Sequence, residues 1–156
     1  MTTFETIISA SAEETEAAGK RLAGHLRAGD VVLLEGDLAA GKTTFVRGFL
    51  RGLSGDSEAV SSPSFVLLQT YDCSARDINT LHHVDLYRLR ENIADLREVG
   101  LEDVLSDDGT VVAVEWPKNT LATWIPTDAR VWRVTITTND DDTRTIEIIP
   151  PHEQNS

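Results

Sequence analysis

An uninterrupted apolar run, Val31-Val32-Leu33-Leu34, leads into EGDLAAGKTT at residues 35–44, and an amphipathic stretch follows at once. No other feature of the chain constrains its fold so tightly. Four consecutive aliphatic residues suit a strand covered on both faces, as in a parallel sheet. Beyond the loop, Phe45, Val46, Phe49, Leu50 and Leu53 recur at helical spacing until Ser54-Gly55-Asp56-Ser57 breaks the pattern. Between strand and helix, Gly36 to Thr43 match G-x-x-x-x-G-K-[ST] in the context which that motif requires. Such a loop turns its backbone amides and a helix N-terminus toward an anion. Lys42 adds a mobile positive charge for β- and γ-phosphates, and the Thr43 hydroxyl is a ligand suited to Mg2+.

The remaining chain reads as α/β. Phe4 to Ile8 form a short apolar run. Ser11 and Glu14 have capping-box spacing, and Ala18, Leu22 and Leu26 predict a helix that stops at Arg27 to Asp30. Phe65 to Leu68 read as a second strand after the turn-like Ser61-Ser62-Pro63-Ser64, and Asp72 to Asp77 as a polar loop. Leu81 to Leu86 predict a third strand, Glu91 to Leu105 one or two short helices broken at Gly100, and Val111 to Val114 another covered strand. Val131 to Thr137 and Thr143 to Ile149 alternate apolar and polar residues around Thr138 to Asp142, which predicts an antiparallel hairpin with one solvated face. The expected architecture is a P-loop NTPase fold: a mixed sheet flanked by helices, with a C-terminal antiparallel hairpin. A length of 156 residues suits a single domain over 1–156, with about 151–156 as a flexible tail.

Composition narrows the chemistry. The chain carries 14 basic and 26 acidic residues, a formal charge of −12. Affinity for nucleic acid comes mainly from neutralising phosphates, so direct binding of DNA or RNA is not expected. No apolar run reaches the roughly 20 residues that span a bilayer, and the first residues lack a basic segment followed by an apolar one. Cys73 is the single cysteine, so no internal disulfide can form. These features predict a cytoplasmic protein without a membrane partner.

Two predicted strands end in an acid, at Asp85 and at Glu115. In an open α/β sheet, ligands sit beyond the carboxyl ends of parallel strands, so both acids are candidates to face the phosphates; for each alone, a solvated strand-end acid is the plainer reading. Ser62 to Phe65 fall where many P-loop proteins keep a segment that senses the γ-phosphate, although a proline turn entering a strand accounts for them as well. His82 and His83 have no Cys or His companions at ligand spacing, so one of them reads better as a strand residue filling the core or an interface. Trp116 suits the core, a cover over the site or a partner contact. The Asp140 to Asp142 run reads as a solvated hairpin tip. Without an Asn/Thr-Lys-x-Asp run after a strand, guanine specificity has no support, and ATP is the default.

GDLAAGKTTFVRGFLRGL, SSPSF, HVDLYRL and VEWP, in this order and spacing, resemble the bacterial TsaE family from about Thr6 to Ile149. Members are small ATPases of tRNA threonylcarbamoyladenosine biosynthesis. The resemblance implies an Mg2+-dependent ATPase, slow alone, that acts on a TsaB–TsaD complex and meets tRNA only through those partners. It implies that Ala39, Ala40, Gly41, Lys42, Thr43 and Thr44 cradle the nucleotide, that Lys42 also serves catalysis, and that Thr43 and Glu115 hold Mg2+. Asp85 corresponds to a residue that positions the attacking water, or one that contacts the metal through water. Ser64 stands where relatives usually have Thr, and Trp116 matches a tryptophan associated with the nucleotide and partner contact. Ser11 and Arg144 lie where relatives touch the nucleotide. Ala39 departs from the usual glycine; a positive φ there would cost about 1 kcal/mol or more. A small-molecule kinase and a non-hydrolysing nucleotide-binding adaptor are the rival readings. The kinase would need an acceptor pocket and a closing lid that the sequence does not display.

Overall fold

In the computed structural model, the described residues are 5–36, 41–56, 68–85, 108–115 and 129–151. They contain β1 (Glu5–Ser9), α1 (Ala12–Ala23), β2 (Val31–Gly36), α2 (Lys42–Gly52), β3 (Leu68–Ala75), β4 (Ile78–Asp85), β5 (Thr110–Glu115), β6 (Val131–Thr138) and β7 (Arg144–Ile149). The strands form one seven-stranded sheet in the order β1-β7-β6-β2-β5-β4-β3. Its four central strands, β6, β2, β5 and β4, run parallel. Antiparallel pairs complete both sides, β6 with β7 and β7 with β1 on one, β4 with β3 on the other.

Burial follows this order. β5 is buried along its whole length and β2 through its first four residues, which is why both read as continuous apolar runs. β6, nearer the side of the sheet, alternates buried Trp132, Val134 and Ile136 with more exposed neighbours. The mixed sheet and the C-terminal hairpin match the pattern expected from the sequence. The helical residues Leu22, Phe45, Phe49, Leu50 and Leu53 share one core with Val32, Leu34, Val134, Ile146 and Ile148. Burying each such side chain contributes roughly 1.5–3 kcal/mol. Among the described residues, no helix is long and apolar enough to cross a membrane.

The two helices pack unusually close because glycines line the contact. A Cβ on Gly48 would lie 1.9 Å from the Glu16 carbonyl oxygen, and one on Gly19 would lie 2.2 Å from that of Phe45. Gly52 in turn faces Lys20 and Ala23. Positions on α2 therefore advance in step with those on α1, so the helices run in the same direction with their N-termini together. Glu16 adds an ion pair to Arg51 at 3.2 Å.

Two expectations need correction. α1 ends at Ala23 and Gly24 rather than running to Arg27. His25 and Leu26 continue as tight turns, their amides bonding to Leu22 and Ala23 carbonyls, and Leu26 still reaches the core. A buried leucine at helical spacing is satisfied by such a turn as well as by a helix. Second, Asp72 to Ala75, expected to be loop, belong to edge strand β3, and β4 starts at Ile78. Thr70, Asp72 and Ser74 are exposed while Tyr71, Cys73 and Ala75 are half-buried. Pairing with β4 supplies the order that the polar sequence conceals. Phe65 to Leu67, Leu86 and the helices predicted within 91–105 lie outside the described residues.

The β3–β4 turn is fastened to α1. Arg76 has a left-handed backbone (φ 57°) and donates from Nη2 to the carbonyl oxygens of Ala23 and Leu26, each at 2.9 Å. A cation at a helix C-terminus offsets the strain of that backbone. Arg76→Ala should lower stability by about 1–2 kcal/mol. Arg76→Gly should lower it less, because glycine relieves the strain; denaturant unfolding of both variants checks the order.

Candidate functional site

The parallel strands β2, β4 and β5 all end at one edge of the sheet. Their register aligns Glu115 with Leu34 on β2 and with Asp85 on β4. The two strand-end acids thus occupy neighbouring strand ends, about 4.8 Å apart in the pairing direction. Both lie on one side of β2, Glu115 on the adjacent strand and Asp85 one strand further out. Glu115 is buried, at 4% exposure, and its Oε2 is hydrogen-bonded to Nε2 of the wholly buried His83. His83 Nδ1 has no hydrogen-bond partner among the described residues.

α2 begins at Gly41, whose left-handed φ of 106° few other residues adopt. Gly41 has no side chain with which to cap the helix amides. Those amides and the positive end of the helix dipole are thereby available to an anion. Lys42 is only 3% exposed, and its Nζ donates to the Gly36 carbonyl oxygen at 2.6 Å, folding the side chain back over the start of the loop. Thr43 and Thr44 are half-buried in the first turn.

The start of α1 reaches the same place from the other side. Ser11 is its N-cap, with Oγ accepting from the Glu14 amide at 3.1 Å. Glu14 reaches back to the Ala10 amide at 2.7 Å, one residue earlier than the usual capping-box partner. Beneath them the buried hydroxyls of Ser9 and Thr15 are 2.7 Å apart, and Ser9 pairs in register with Arg144 on β7. A cleft of about 130 Å³ results, lined by Ala10, Ser11, Ala12, Thr15, Gly41, Thr44 and Arg144. Two helix N-termini and Arg144 border this concavity, with Glu13 and Glu14 in the first turn of α1 close by. Ser11, Gly41, Thr44 and Arg144, far apart in the sequence, border one cavity.

Other candidates fall elsewhere. Ala39, Ala40, Ser64 and Trp116 lie outside the described residues, as does the whole Ser62 to Phe65 segment; for Asp85 only the strand backbone is described. His82 and His83 both lie on β4 and are buried, in keeping with the core reading, and His82 Nδ1 is 3.0 Å from Thr70 Oγ1. Sequence reasoning missed Thr15 as a lining residue and His83 as the partner of Glu115. The spacing of Ser11 and Thr15 on one helical turn was the available signal for the first. Nothing local signalled the second.

Among the described residues, no group of three His, Cys, Asp or Glu side chains gathers into a metal cage. Mg2+ is commonly held by one or two protein oxygens together with substrate phosphates and water. A buried carboxylate at Glu115 and a hydroxyl at Thr43, flanking the loop, are donors of that kind.

Comparison with known proteins is consistent along the chain. The family profile described as "Threonylcarbamoyl adenosine biosynthesis protein TsaE" matches residues 9–146. The tRNA threonylcarbamoyladenosine biosynthesis protein TsaE of Rickettsia conorii is 37% identical over 146 residues, which cover 94% of this chain and 78% of the relative. The protein of the same name from Bacillus subtilis is 42% identical over 104 residues, 67% of this chain and 61% of the relative. That from Streptomyces coelicolor is 47% identical over 98 residues, covering 63% and 64% respectively. Among solved structures, the crystal structure of Bacillus subtilis YdiB superposes with a TM-score of 0.70 at 28% identity, over 99% of this chain and 90% of that one.

Proposed function

Because the chain belongs to the TsaE family of tRNA threonylcarbamoyladenosine biosynthesis proteins, we propose that it is a P-loop ATPase supporting that modification through a TsaB–TsaD type complex. The observation that carries this reading is the cleft at the uncapped head of α2. In a chain of charge −12, two helix N-termini, Lys42 and Arg144 gather at the carboxyl edge of the sheet. The family profile supplies the pathway, and the loop chemistry supplies the nucleotide.

Along that edge the roles divide by strand. Ser11, on the turn after β1, and Arg144 on β7 bind the nucleoside end of ATP. Gly41, Lys42 and Thr44 at the head of α2 bind the phosphates, joined by Ala39 and Ala40 of the loop. Lys42 leaves the Gly36 carbonyl for the β- and γ-phosphate oxygens, exchanging one charge-assisted contact for stronger ones. Thr43 and Glu115 would hold Mg2+, which neutralises phosphate charge when bound. Asp85, beside Glu115 in register, orients the water that attacks the γ-phosphorus. Ser64 and Trp116 complete the site near the γ-phosphate and the partner surface. In such a reaction, positioning and charge neutralisation supply most of the rate, so a site completed by its partners is slow alone.

The test is ATP turnover by the purified chain with and without the TsaB–TsaD pair, read as inorganic phosphate. Slow release alone and several-fold faster release with the pair is the expected result. Equal rates would overturn partner activation. Binding without hydrolysis in either condition would identify a nucleotide-sensing adaptor, and phosphate appearing on a metabolite would identify a kinase.

A further inference from the structure

The clearest group left unused by this reading is His83. It lies on β4 in register with Ala113 of β5, two residues short of the Asp85–Glu115 pair. Its ring is wholly buried and reaches diagonally across to Glu115, with Nε2 hydrogen-bonded to Oε2. Its other nitrogen, Nδ1, meets no partner among the described residues. A buried imidazole satisfied at one nitrogen only is a poor choice for stability alone, since an aliphatic side chain would fill a similar volume without an unpaired polar atom. Its one bond among the described residues therefore calls for an explanation, and that bond holds a carboxylate at the strand end beside β2.

We propose that His83 is a positioning residue for Glu115. It pins Oε2, restricts rotation of the glutamate side chain and leaves Oε1 outside that bond, available to a divalent cation at the nucleotide phosphates. Carboxylates that bind metals commonly depend on hydrogen bonds of this kind, and losing one typically weakens metal affinity about 10–100-fold. The inference rests on the assignment of Glu115 to the metal.

Nucleotide and metal binding are measured separately on the purified chain. ADP affinity is determined in EDTA, and Mn2+ affinity is read by electron paramagnetic resonance with ADP present. His83→Asn, whose amide is too short to reach the position of Nε2, should weaken Mn2+ binding about tenfold and leave ADP affinity in EDTA unchanged. His83→Gln, which can place an amide nitrogen near Nε2, should recover most of the metal affinity. In a Glu115→Ala background, His83→Asn should have no further effect on Mn2+. If Glu115→Ala weakens Mn2+ binding but His83→Asn does not, the positioning role is overturned and the metal assignment stands. If Glu115→Ala has no effect on Mn2+ binding, the metal assignment itself fails. Equal losses of ADP and Mn2+ affinity in both His83 variants, together with a lowered melting temperature, would mean that the histidine only maintains the fold.

Discussion

Lys42→Ala should reduce ATP turnover in the presence of the partner pair by about two to three orders of magnitude, the usual cost of removing one preorganised group from a site of developing charge. The starting structure explains why the loss is large. The ammonium is already withdrawn from water, at 3% exposure, and is held 2.6 Å from the Gly36 carbonyl oxygen. A cation desolvated before the nucleotide arrives interacts more strongly with phosphate than an exposed one would. The same truncation should weaken nucleotide binding. Turnover measured beside a thermal melt separates lost chemistry from lost fold. Normal turnover in the variant would overturn the assignment of the loop.

Gly48→Ala should be the most disruptive single-methyl change to the fold. On propensity alone, alanine inside a helix gains about 1 kcal/mol over glycine. Here the new Cβ would sit 1.9 Å from the Glu16 carbonyl oxygen and 2.6 Å from its carbonyl carbon and Cα, all of them backbone atoms that cannot rotate away. Overpacking of this severity costs about 3 kcal/mol or more. The steric term wins by about 2 kcal/mol or more, and the melting temperature should fall by at least about 4–8 °C. Gly24→Ala is the control. Gly24 has helical angles, and its added Cβ would approach nothing closer than the Arg21 carbonyl oxygen at 3.4 Å. That variant should be neutral or slightly stabilised. Because the α1 and α2 N-termini border the cleft, Gly48→Ala should also weaken nucleotide binding beyond what its melting point explains. A Gly48→Ala protein as stable as the parent would show that the helices do not pack as described.

Much of the site was legible because its chemistry is local. The phosphate loop, the helix after it and the Ser11 cap each need only a few consecutive residues, and the physics of an anion at a helix N-terminus acts over one turn. The paired acids were half legible: each stands at the end of an apolar run, but only parallel register places one beside the other. The Asp30 cluster was not legible at all. Its buried carboxylate accepts from Arg130 Nε at 2.9 Å and Trp132 Nε1 at 3.1 Å, side chains far along the chain. Nothing near Asp30 distinguishes it from an ordinary turn aspartate.

The boundary between the two sources of order follows the range of the forces. By itself the sequence determined the strand–loop–helix unit at 31–52, the C-terminal hairpin and the membership of a family, because hydrophobic period, turn chemistry and motif spacing act between near neighbours. Tertiary structure alone decided that β2 would lie between β5 and β6, that polar residues 72–75 would form an edge strand, that glycines on two helices would bring Ser11 to the head of α2, and that pairing of β7 with β1 would set Arg144 beside them. It also decided that His83 would reach Glu115, 32 residues away. Strand order and register depend on burial summed over the whole sheet, which no short stretch of sequence contains.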